Sequence, residues 1–78
     1  SKETAVLMMA DAVEAASRSL NEKTEESISQ LVEKIIDIQV NEKQFINTDL
    51  TFRDITTIKK VFKKKLMNIY HVRIAYPV

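Results

Sequence analysis

The 78-residue chain has no cysteine, no glycine, no tryptophan, one proline and one histidine. Each absence removes a class of chemistry. Without cysteine there are no disulfides and no thiolate metal sites, which fits a reducing compartment. Without glycine there is no phosphate-cradling glycine loop. With His71 alone, paired-histidine zinc motifs are excluded. Pro77 stands near the end, where it breaks no helix. The net charge of +1 predicts no strong general attraction to nucleic acid. No stretch reaches the ~18 consecutive apolar residues of a membrane span. The longest clean apolar run is Ala5 to Ala10, and it lacks the basic flank and cleavage pattern of a signal peptide. At this length a single core gives thin stability.

What is present reads as an all-α domain of three helices. The first spans about 3–20 and is rich in alanine, leucine and methionine, all good helix formers. It is apolar on nearly every side, the pattern of a buried helix. Thr24 is placed to cap a second helix over about 24–39, with Glu25 and Glu26 in its first turn. Ile28, Leu31, Val32, Ile35 and Ile36 follow at helical spacing. Ile36 to Val40 also alternates like a strand, but no convincing second strand exists to pair with it. Asn41 to Leu50 reads as a loop, with Phe45 and Ile46 tucked against the helices. Thr51 and Asp54 form a capping-box-like start to a third helix over about 51–73. Its apolar stripe comprises Ile55, Ile58, Phe62, Leu66 and Ile69 and continues to Arg73. Lysines 59, 60, 63, 64 and 65 fill much of the remainder and read as a solvated face; attraction to an anionic ligand or membrane surface is the alternative.

Asp11 is the anomaly. On a helix its neighbours are Leu7, Met8, Glu14 and Ala15, three apolar and one of the same charge. Arg18 shares the face but lies about 10 Å along the axis, and its natural partner is Glu14 at i,i+4. A buried, unpaired carboxylate costs several kcal/mol or takes up a proton. Three outcomes stand open. Asp11 faces solvent, meets a cation from another segment, or ligates a metal held mostly by other parts of a larger protein.

The stretch "ETAVLMMADAVEAASRSL" (residues 3–20) closely resembles the last conserved segment of the catalytic domain in bacterial membrane-anchored HD-domain hydrolases. These carry a seven-helix membrane region followed by a cytoplasmic HD domain. Many hydrolyse cyclic di-AMP. "IYHVRIAYP" (residues 69–77) resembles the family's C-terminal signature. "TEESISQLVEKIID" and "LTFRDITTIKKVF" look like its penultimate helices. Ala12 stands where the family pattern has serine.

The resemblance implies that residues 1–78 are the C-terminal segment of a single HD-type helical domain in a bacterial inner-membrane protein, on the cytoplasmic side. It implies that Asp11 matches the final ligand of a site for two divalent transition metals, manganese or iron. Arg18 is the candidate substrate-binding residue, with an ion pair to Glu14 as the plainer reading. Glu14 is the candidate residue behind the metal ligands, orienting a water. The adjacent His-Asp pair and the other histidines are expected upstream of Ser1. The isolated chain is therefore expected to lack hydrolase activity, to hold no metal, and to self-associate through its first helix. His71 reads as a structural residue near a helix C-terminus. The alternative from another class is a non-catalytic helical interaction or dimerisation module, in which Asp11 sets register through an ion pair.

Overall fold

A computed structural model describes residues 1–42 and 49–73. Three helices make up the architecture: α1 (Lys2–Ser17), α2 (Glu25–Asn41) and α3 (Phe52–Ile69). Among the described residues there is no strand, so the chain is all-α. The stretch that alternates like a strand, Ile36 to Val40, stays helical through Asn41. Phe45, Ile46 and the last five residues lie outside the described residues.

Each helix begins on a side chain that satisfies otherwise unpaired N–H groups. The Ser1 hydroxyl accepts from the Thr4 N–H at 3.3 Å. Thr24 accepts from the Ser27 N–H at 3.0 Å, and the Thr24 N–H donates to the Ser27 hydroxyl at 2.9 Å. Thr51 and Asp54 make the same reciprocal pair at 3.0 and 3.1 Å. The Thr51 N–H, with Lys2 at 3.4 Å, holds the Asp54 carboxyl below its ordinary value.

The helix ends differ from the expected ones. α1 stops at Ser17 rather than Leu20, because the N–H groups of Ser19 and Leu20 turn to the carbonyls of Ala16 and Ser17, three residues back. α3 stops at Ile69 rather than Arg73. There His71 adopts a left-handed conformation, φ 56°. Its N–H bonds the Asn68 carbonyl, and the Val72 N–H bonds the Met67 carbonyl at 2.8 Å. This is a complete Schellman cap with histidine where glycine is favoured. Val72 folds back onto the core, so Met67 is buried while Ile69 is 58% exposed. Arg73 lies beyond the helix and is exposed.

The core is thin. Met9 and Val13 of α1, Ile28, Val32 and Ile36 of α2, and Leu66 and Met67 of α3 are buried together. Ile55, Ile58 and Phe62 pack half-buried against them. Two polar ties supplement this core. Ser17 is fully buried, and its hydroxyl donates to the Glu14 carbonyl at 2.7 Å. With that proton committed, the Tyr70 hydroxyl donates to Ser17 at 2.8 Å. The Lys23 ammonium lies over the Tyr70 ring, 5.1 Å from its centre.

The second tie is ionic. Lys59 donates to Asp37 at 2.7 Å and approaches Glu33 at 2.9 Å. Lys63 donates to Glu33 at 2.6 Å. Two of the five lysines expected on a solvated face therefore bind α3 to α2. The Lys63 and Lys59 hydrogen bonds hold the Glu33 carboxyl below its ordinary 4.5. Asp37, then Glu33, raise Lys59 above its ordinary 10.5.

Two predictions concern stability. A depressed carboxyl contributes stability that is present above its unfolded value and lost as pH falls through its folded one. The melting temperature should therefore drop between about pH 5 and about pH 2, and Glu33→Gln should shrink that drop. At neutral pH the same variant should cost about 0.5–1 kcal/mol, the scale of partly exposed pairs. At the cap, His71→Gly should stabilise the chain by up to about 1 kcal/mol in urea titration, whereas His71→Val should destabilise it.

Candidate functional site: the outer face of the first helix

α1 packs through Ala5, Met9, Val13 and Ser17, one residue per turn. Asp11 lies two residues from both Met9 and Val13, a rotation of about 200°. It therefore points away from α2 and α3, and it is exposed. The helix that is apolar on nearly every side is thus covered on one stripe only, with the opposite face exposed. Leu7 is 62% exposed and Met8 44% exposed. Thr4, Ala15 and Arg18 are exposed on the same side. Two neighbouring helices can cover only one side of a third.

Among the described residues no cation pairs with Asp11. Of the three open outcomes, this chain shows the solvent-facing one. Glu14 is half-buried. Its Oε1 accepts from Arg18 Nη2 at 2.6 Å. That hydrogen bond is the main cause of the raised Arg18 pKa. The plainer reading of Arg18 is thus realised here. The other Glu14 oxygen, Oε2, is buried and has no hydrogen-bond partner. That oxygen is shielded from solvent, so only Oε1 of the pair meets a partner here.

His71 is exposed, far along the sequence from Asp11, and its backbone serves the α3 cap. Among the described residues no three His, Asp or Glu side chains lie close enough to hold an ion together. A metal at Asp11 needs donors from outside them. No helix among the described residues is long and apolar enough to cross a membrane.

Sequence reasoning missed the Ser17–Tyr70 bond and the Glu33 bridge. The bridge had a signal: Glu33 and Asp37 repeat at i,i+4, as do Lys59 and Lys63. Matching intervals on facing helices let the side chains pair rung by rung. Ser17 and Tyr70 carried no such signal, because either is ordinary on a helix.

Over nearly its whole length the chain is similar to parts of larger proteins. It is 44% identical over 77 residues to the cyclic-di-AMP phosphodiesterase PgpH of Bacillus subtilis, covering 99% of this chain and 11% of that protein. It is 38% identical over 76 residues to the protein of the same name from Listeria monocytogenes, covering 97% and 11%. It is 35% identical over 77 residues to an uncharacterized protein of Synechocystis, covering 99% and 10%. The chain thus spans about a tenth of the length of these relatives. No family model and no solved structure matches it. Along its length the chain is similar to a segment of the PgpH proteins.

Proposed function

We propose that this segment closes the C-terminal end of an HD-type domain in a metal-dependent phosphodiesterase, and that Asp11 supplies that domain's final metal ligand. The substrate of the parent is then cyclic di-AMP, the dinucleotide in the names of the PgpH relatives. The observation that carries this reading is the placement of Asp11. Without a cationic partner among the described residues, the Asp11 carboxylate stands on the exposed face of α1, beside the exposed side chains of Leu7 and Met8. Such a face fits burial under the rest of a larger domain, which would bring the missing ligands to it.

The residues present fit one part of the site. A carboxylate suits manganese or iron when histidines complete the set. When bound, two such metals stabilise charge on a phosphodiester during displacement at phosphorus. This chain contributes the position of Asp11, held by the Met9–Val13 stripe, and the Glu14 carboxylate beside it. Glu14 is the candidate to orient a water beside the metals. On this reading the parent is a bacterial inner-membrane protein with this domain on the cytoplasmic side. Among the described residues no three such ligands gather to hold an ion, which supports the reading that the chain alone is inactive and metal-free.

Two measurements test this. In the full-length parent, Asp11→Asn should lower bound metal and cut cyclic di-AMP turnover at least about a hundredfold, the scale of losing a directly acting group. Undiminished metal and turnover would contradict the ligand role and favour the helical interaction module. For the 9.0 kDa chain by itself, light scattering should show self-association that Leu7→Gln with Met8→Gln abolishes. A strict monomer at high concentration would contradict it.

A further inference from the structure

The outer face of α1 carries one cation among the described residues. Lys2 is drawn off to Asp54 at 3.4 Å, which leaves Arg18. Seven residues separate Arg18 from Asp11, two turns that return to nearly the same line. The Arg18 side chain folds back one turn to reach Glu14 at 2.6 Å. Glu14, the residue it reaches, stands only about 5 Å of axial rise from Asp11. Between Asp11 and Arg18 the outward side chain is Ala15, exposed and no larger than a methyl.

The Glu14 pair is well suited to exchange. Arg18 is 71% exposed and Glu14 46% exposed, and exposed pairs of this kind hold only about 0.2–1 kcal/mol. A phosphodiester offers the same guanidinium a charge-assisted, two-pronged partner. A cyclic dinucleotide carries two phosphodiesters in one ring, and only one is cleaved at a time. If one is engaged at Asp11, the other has a cation waiting along the same helix line.

We propose that Arg18 grips the second, uncleaved phosphodiester of the substrate and so selects cyclic dinucleotides over substrates with a single phosphodiester. Glu14 holds the guanidinium ready when the site is empty and releases it to the ligand. The inference rests on the reading of Asp11 given above. It goes further in assigning a chemical basis for substrate choice.

The test compares cyclic di-AMP with bis(p-nitrophenyl) phosphate, which has one phosphodiester, in the full-length parent. Arg18→Gln should lower the ratio of kcat/KM for the cyclic dinucleotide over the single diester about tenfold, through KM rather than kcat. Arg18→Lys should restore part of the loss. Equilibrium binding of cyclic di-AMP to the metal-stripped parent should weaken in parallel. An unchanged ratio, or equal losses on both substrates, overturns the role of Arg18 while leaving Asp11 standing. Failure of the unaltered parent to cleave either substrate overturns both.

Discussion

Everything on this molecule is organised by the narrow stripe through which α1 meets its neighbours. Ala5, Met9, Val13 and Ser17 recur at every fourth position, so the helix is fixed in rotation as well as in place. That rotation decides what is left outside. Leu7, Met8, Asp11 and Arg18 face outward because Met9 and Val13 face in. Had the stripe been shifted by two residues, Asp11 would be buried without a partner, at a cost of several kcal/mol.

The stripe is held in position from both ends. The Ser17–Tyr70 hydrogen bond joins the C-terminal ends of α1 and α3. The Lys2–Asp54 pair joins their N-terminal ends. Between α2 and α3 the Glu33 bridge does similar work. These contacts are individually modest. In a core of so few buried side chains they still count, since a domain's net stability is only a small difference between large terms. They also sort the charge. α3 carries six basic residues against the single acid Asp54, yet the chain as a whole has a net charge of only +1.

Much of this was legible in the sequence, for identifiable reasons. Thr24 and Thr51 announced helix starts because short hydroxyl side chains pair naturally with the N–H groups of a first turn. The three-helix architecture followed from apolar spacing. The ends were less legible. Glycine usually marks a left-handed cap, and this chain has none, so His71 in that role was invisible. The lysines of α3 looked like one solvated face because sequence spacing on one helix says nothing of the helix beside it. The apolar sides of α1 read as a buried helix, yet α2 and α3 cover only one stripe of it among the described residues. The candidate site was partly legible. Asp11 was noticeable for its lack of local counter-charge, and Arg18 for its interval to Glu14. Its outward direction became plain only when the packing stripe was known.

The most direct test of the account is the structure of the full-length parent with manganese bound, with the metal positions found by anomalous scattering. An ion in direct contact with the Asp11 carboxylate is expected there, with Leu7 and Met8 covered by other helices of the parent. An Asp11 side chain standing in open solvent, with every metal held by other residues, would contradict it.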